Sequence, residues 1–399
     1  MSTLAFDPQQ PLPGPPDPWA ASDPPIGREG PPYAMTQMIA AEPALAGRVL
    51  GYLSGSSGPA AELAGAIREA AAAGAPIVAV GCGTSEHGAL GFAAIVGEAM
   101  RAAGLPGPGP VARQALEAAL EPQAGGLCIG ISHEGGTAAT IRAMGAARAS
   151  GARIGLVTVS ERAPAAAFAD MLLVTRELDQ SWCHTVGYLA PLLAGVAVGA
   201  VIRDAPDGAG QVQALLAAGL TAPATALTEA VAQELAAARH LVVIGSGADR
   251  AAGRELTLKI EEGAWIPSAY RDLETFLHGH LPATDETTGL VLLLTDRRGE
   301  AERIERARQL LAAVGAAGVR SAAILSGAAA GALPDSLTPA GRLVVPGDPS
   351  LPAPVASLFA TATPLQLLTE RIARERGTNP DPIRRDDPRY ANAAALAES

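Results

Sequence analysis

The chain has 399 residues, 48% hydrophobic but only 3% aromatic, and a formal net charge of −11. That length accommodates two or three domains with Ala, Leu and Val cores, and an acidic balance without a basic cluster argues against nucleic acid as a partner. Cys82, Cys128 and Cys183 are widely spaced, so they fit reduced thiols of a cytoplasmic protein rather than a disulfide or metal framework.

Residues 1–34 are rich in Pro, as in Pro11-Leu12-Pro13-Gly14-Pro15-Pro16, and are expected to be a disordered tail. No basic segment followed by an apolar one opens the chain, so no signal peptide is expected. A helical pattern runs from about Tyr33 to Tyr52. Short apolar runs of strand length follow at 77–80, 127–131 and 154–159, separated by Ala-rich stretches of helical length. Tyr188–Ile202 is the most apolar stretch, too short for a confident membrane span, and reads as a buried helix. The pattern then restarts, with strands at 241–244, 290–294, 322–325 and 343–345. Two similar parallel β/α domains are therefore expected, at 35–205 and 220–375, joined by 203–224 and followed by a C-terminal tail at 376–399.

Both halves open with a strand running into Gly-x-Gly, but the third position of a dinucleotide fingerprint is Glu86 in one and Arg250 in the other. What remains is a Gly-rich turn into a helix, Gly81-Cys82-Gly83-Thr84-Ser85, and a second cluster, Ser132-His133-Glu134-Gly135-Gly136-Thr137, after the next strand. Backbone N–H groups and hydroxyls at the carboxyl ends of parallel strands suit an anionic or polyhydroxylated ligand. Lys259 is the only lysine among 29 basic residues. It stands between Glu255 and Glu262 at helical spacing, with Phe276-Leu277-His278-Gly279-His280 beyond. A carboxylate, an ammonium and an imidazole are the parts of a proton-transfer site, and an ammonium, unlike guanidinium, can release its proton when its pKa is depressed. The histidines are scattered and no carboxylate cluster has ligand spacing, so no metal is expected, and no cofactor.

These motifs, with Pro364-Leu365-Gln366-Leu367-Leu368, resemble the SIS (sugar isomerase) domain family, in the double-SIS arrangement of the isomerase half of glucosamine-6-phosphate synthase and related isomerases, deaminases and deglycases. The resemblance spans about residues 35–390 and lacks the glutaminase domain. It implies an α/β fold of two tandem SIS domains, each a parallel sheet flanked by helices in three αβα layers. It also implies Glu262 as the base that moves a proton between C1 and C2 of a sugar, and Lys259 as the charge beside it. His278 would assist ring opening and reach in from a second subunit, which makes the protein a homodimer with shared sites. Cys82, Gly83, Thr84, Ser85, Ser132, His133, Glu134, Gly135, Thr137, Ser181, His184, Glu255 and Arg389 would bind substrate.

Three departures stand out against that pattern. Glu134 occupies a position where the synthases carry a hydroxyl, and a carboxylate there repels a phosphate. Gln180-Ser181-Trp182-Cys183-His184-Thr185 replaces a segment that in the family ends in lysine. In the C-terminal tail Ala393 stands where the synthases have a Schiff-base lysine, while Arg384, Arg385 and Arg389 are placed to close over an anionic group. The resulting expectation is a sugar or sugar-phosphate isomerase or aminosugar deaminase. A fructosamine deglycase and a non-catalytic sugar-phosphate sensor are the alternatives, with neither nucleic acid nor membrane as partner.

Overall fold

A computed structural model describes residues 6–14, 28, 30–55 and 58–398. Its first half runs α1 (Ala34–Leu53), α2 (Pro59–Ala72), β1 (Ile77–Gly81), α3 (Thr84–Ala102), β2 (Val111–Gln114), α4 (Ala115–Leu120), β3 (Leu127–Ile131) and α5 (Ala138–Ala149). It continues with β4 (Arg153–Thr158), β5 (Met171–Val174) and α6 (Val186–Arg203), and α7 (Ala209–Ala218) leads to the second half. There α8 (Ala222–Leu235), β6 (His240–Gly245), α9 (Asp249–Lys259), β7 (Ser268–Asp272), α10 (Leu273–Leu277) and β8 (Thr288–Leu294) follow. The chain closes with α11 (Glu300–Ala316), β9 (Arg320–Ser326), α12 (Gly327–Ala332), β10 (Arg342–Val345), α13 (Ala353–Arg376) and α14 (Pro388–Glu398).

The strands form two five-stranded sheets, β2-β1-β3-β4-β5 and β10-β9-β8-β6-β7, and every pairing is parallel. Relabelled by order of appearance, both read 2-1-3-4-5, so the second half repeats the topology of the first. In such sheets the strand order reverses beside the first strand, and the loops at that point form a ligand crevice. The crevices here lie at the carboxyl ends of β1 and β3, and of β6 and β8.

Strand alternation sorts the core into three parts. Ile77, Ala79, Leu127 and Ile129 of the first sheet, and Leu241, Val243, Val291 and Leu293 of the second, face one shared core built with α1, α3, α6 and α13. The opposite faces, through Val78, Val80 and Ile154 or through Val242, Ile244 and Leu292, pack on the outer helices. Burial on both faces explains why these strands read as continuous apolar runs. The apolar α6 is long enough to cross a membrane by composition, yet nearly all of it is buried inside this shared core. Its contact with α3 is close: a Cβ at Gly88 would lie 2.3 Å from Pro191 Cγ, and one at Gly91 would lie 2.1 Å from Leu192 Cδ2. That approach fixes α3, whose first turn carries the candidate site.

The structure adds β2, β5 and β7 to the strands expected from sequence. Segment 203–224 holds a helix, α7, whose Val212, Leu215 and Leu216 are buried. Residues 6–14 of the Pro-rich segment depart from the expected disorder. Leu12 is buried and its N–H donates to Glu177, Leu178 N–H donates to the Pro13 carbonyl, and Arg48 binds the Gln9 carbonyl. One apolar side chain and a few backbone bonds suffice to dock a segment that Pro has already made extended. The same expectation for residues 1–5, 15–27 and 29 lies outside the described residues.

Candidate active site

Helix α9 delivers Glu255 and Lys259 to the start of α3. Both side chains are fully buried, and the helix changes character just past Lys259, where Ile260–Ala264 winds as a π-turn. Wide turns of this kind recur at functional sites. Here the turn brings Glu262 back to Lys259, with Glu262 Oε2 2.7 Å from Lys259 Nζ. The turn ends on Trp265, a bulky residue held at φ 55°, a left-handed backbone conformation that costs energy and marks an over-determined site.

Lys259 Nζ also lies 3.3 Å from Glu255 Oε1 and donates to Thr84 Oγ1 at 2.9 Å, and the Thr84 hydroxyl donates in turn to Glu255 Oε1 at 3.2 Å. The other oxygen, Glu255 Oε2, accepts from His87 Nδ1 at 2.8 Å. Burial alone would drive the Lys259 ammonium down, but the Glu255 and Glu262 carboxylates outweigh it and hold the lysine well above its ordinary range. Burial pushes the Glu255 carboxyl up, and the Lys259 charge together with the His87 hydrogen bond reverses this, leaving it below the usual range. The two carboxylates thus favour the charged ammonium over the proton-releasing amine that the rarity of Lys259 invites. Of the three charges only Glu262 reaches solvent, its side chain 22% exposed.

His87 was not among the residues singled out from sequence. Its one visible signal is the i, i+3 spacing from Thr84, which puts both on one face of α3. Its partner lies 168 residues away, so only the fold reveals the contact.

The crevice beside β1 and β3 is open in hydrogen-bonding terms. Gly83 turns the chain at φ 56° into α3, and the hydroxyls of Ser85, Ser132 and Thr137 make no hydrogen bond to a described residue. The matching crevice beside β6 and β8 is filled by the protein's own anions. Asp296 accepts from the Ala248 and Arg298 N–H groups and pairs with Arg298 and Arg303. Asp249, at the position matching Ser85, accepts from the Thr295 and Asp296 N–H groups and from the Ser357 hydroxyl. The two halves share a fold, but in the second Asp249 and Asp296 take up N–H groups of the crevice loops, whereas in the first the hydroxyls of Ser85, Ser132 and Thr137 make no hydrogen bond to a described residue.

The remaining expected residues fall into two groups. Glu134 and Gly135 lie on the crevice loop, whereas the Cys82 thiol turns outward to Thr140 and Gln114. His133 is turned into the protein, where its Nε2 accepts the Asp179 N–H at 3.0 Å and its ring packs 5.6 Å from that of His184. Burial lowers the His133 pKa, and His184 adds to this, against the raising effect of Asp179 and Glu134. Ser181 is buried and accepts the Cys183 N–H.

Two residues sit apart from the charged cluster. The His278 side chain is 68% exposed and bonded to Glu274, and Arg389 is 80% exposed and paired with Asp387. The C-terminal tail is fastened to α1 and to the turn after Lys259: both Asp381 oxygens accept N–H groups at the start of α1, Trp182 N–H donates to the Asp381 carbonyl, and the Thr378 hydroxyl donates to the Gly263 carbonyl. Arg384 stacks on Trp265 and Tyr390, and Arg385 on Trp182. Among the described residues no group of three or more His, Cys, Asp or Glu could hold a metal ion.

Comparison with known proteins agrees with this architecture. Residues 234–322 match the family model of the SIS domain. Among solved structures, the chain is similar to the C-terminal domain of glucosamine-fructose-6-phosphate aminotransferase from Francisella tularensis, with a TM-score of 0.73 at 18% identity, covering 89% of this chain and 99% of that one. It is also similar to tagatose-6-phosphate ketose/aldose isomerase from Escherichia coli, with a TM-score of 0.63 at 16% identity over 91% and 98% of the two chains. Glucosamine-6-phosphate deaminase from Thermotoga maritima gives a TM-score of 0.57 at 19% identity over 77% and 87%. A comparison with curated proteins finds no match. The fold is thus that of two tandem SIS domains, each with its own five-stranded parallel sheet.

Proposed function

We propose that the chain is an enzyme of the sugar isomerase type that shifts a proton between C1 and C2 of a sugar or sugar phosphate through an enediol, or an enediolamine when the substrate carries an amine. The observation that carries this reading is the fixed Glu255–Lys259–Glu262 array, in which a buried ammonium holds the one partly exposed carboxylate. The Glu262 carboxylate takes the proton from the carbon next to the carbonyl, and the electron pair left behind moves onto the carbonyl oxygen. Returning the proton to the former carbonyl carbon, while a proton passes from the hydroxyl on the other carbon to the enediolate oxygen, completes an aldose–ketose interconversion. When the carbon that loses its proton bears an amine, reprotonation at the former carbonyl carbon gives an imine, which water hydrolyses to a carbonyl with release of ammonia.

Lys259 holds the Glu262 carboxylate in place at 2.7 Å before the transfer, and its buried positive charge offsets negative charge growing on the enediolate. The free hydroxyls of Ser85, Ser132 and Thr137, with the N-terminal turn of α3, would hold the polar or anionic end of the substrate. The sugar phosphates in the names of the similar structures support that class of ligand. The exposed position of His278 supports a role across a homodimer interface, where it would reach the site of the partner subunit.

A panel of ketoses, amino sugars and fructosamines, each with and without phosphate, tests the reading by proton NMR in D2O. Solvent deuterium at C1 or C2 is the expected result, and the responding compounds separate isomerase, deaminase and deglycase. Binding of a sugar phosphate with no exchange from any compound would make the protein a sensor.

A further inference from the structure

We infer that His87 is a positioning residue for the proton transfer, acting through Glu255 on the pairing of Lys259 with Glu262; this rests on the reading of Glu262 as the base. Glu255 has two oxygens and three side-chain partners. Oε2 is taken by His87 Nδ1 at 2.8 Å, which leaves Oε1 for Thr84 at 3.2 Å and Lys259 at 3.3 Å. The shorter ammonium contact is the one to Glu262, at 2.7 Å. Lys259 therefore leans toward the base, and His87 is what occupies the oxygen that would otherwise draw it back.

Glu255 is fully buried, so freeing Oε2 leaves a carboxylate oxygen with no water to satisfy it. The remaining donors are Thr84, whose single proton already serves Oε1, and Lys259, so a bidentate Glu255–Lys259 contact would pull the ammonium away from Glu262. His87 is itself held in place, its side chain 13% exposed, on the α3 turn between Thr84 and the tight Gly88 contact with α6. The other titratable groups whose fields reach the cluster are Cys183, which interacts with Lys259, Glu255 and Glu262, and Tyr188, which interacts with Glu255. Asp381 in the tail and Asp249 at the start of α9 act on those two in turn. Among the described residues none of these four hydrogen-bonds to Glu255, which leaves His87, Thr84 and Lys259 to orient it.

The test compares His87→Asn with His87→Gln, using the exchange of substrate hydrogen for solvent deuterium with whichever sugar the wild-type protein turns over. Both variants are polar amides. The Asn amide nitrogen falls where the imidazole Nδ1 sits, whereas that of Gln reaches the place of Nε2, away from Glu255. The expected result is that Asn stays within about threefold of wild type while Gln loses about tenfold or more in kcat with KM unchanged. The unchanged KM is the part a merely structural role would not give, because a distorted α3 would also disturb the crevice hydroxyls. Equal losses in both variants, no loss in either, or a loss carried by KM would overturn the inference. Absence of exchange in the wild-type protein would instead overturn the assignment of Glu262, and the role of His87 with it.

Discussion

Replacing Glu42 by Gln should remove a large pH-dependent loss of stability. Glu42 sits on α1 with no exposure, and one of its oxygens accepts the Thr363 hydroxyl at 2.7 Å. Its other oxygen and the buried amide of Gln366, one turn along α13, lie close but make no well-formed hydrogen bond among the described residues. Burial raises the carboxyl from an ordinary 4.5 to about 8, with the Thr363 hydrogen bond resisting and the Asp179 charge assisting.

A folded pKa above the unfolded one means that the folded state binds the proton more tightly. The stability associated with Glu42 is thus fully present below pH 4.5, falls as pH rises, and levels off above about 8. The whole fall corresponds to about 5 kcal/mol. A neutral Gln of the same shape keeps the Thr363 bond through its oxygen and turns its NH2 toward the unpartnered oxygen of Gln366. Urea unfolding of both proteins from pH 5 to pH 9, followed by circular dichroism, reads the difference directly, because every other titrating group is common to the two. The variant should gain on the wild type steadily up to about pH 8. Parallel pH dependences would refute the assignment of a protonated, buried Glu42.

Lys259→Met should both stop turnover and destabilise the fold by about 3–5 kcal/mol, since it takes the ammonium from the buried Glu255 and leaves only the His87 and Thr84 hydrogen bonds; thermal unfolding with an activity assay checks both. Asp381→Ala removes the acceptor of the Ala34 and Met35 N–H groups and should cost about 1–2 kcal/mol, read as a lowered unfolding midpoint. The same change should speed proteolysis of the C-terminal tail, which Asp381 ties to α1.

The repeat and seven of the ten strands were legible because strands buried on both faces leave apolar runs in the sequence. The strands that escaped are poorer in that signal: β2 is Val-Ala-Arg-Gln, β7 is Ser-Ala-Tyr-Arg-Asp, and β5 has only four residues. The Glu255, Lys259 and Glu262 array was legible because local helical spacing creates it. His87 was not, because its function depends on α3 meeting α9, a contact between sequentially remote helices. The closure of the second crevice by Asp249 and Asp296 was hidden for a related reason. An acidic residue at a helix start reads as an ordinary cap, and only the fold brings it to the loop donors it consumes.

The most direct test of the central claim is wash-in of solvent deuterium at C1 or C2 of the substrate by wild-type protein and by Glu262→Gln, measured by NMR together with sugar binding. The account predicts exchange with the wild type, and with the variant none, while the variant still binds the sugar. Exchange that persists in Glu262→Gln would contradict it, because the proton would then be carried by a group other than the carboxylate that Lys259 holds.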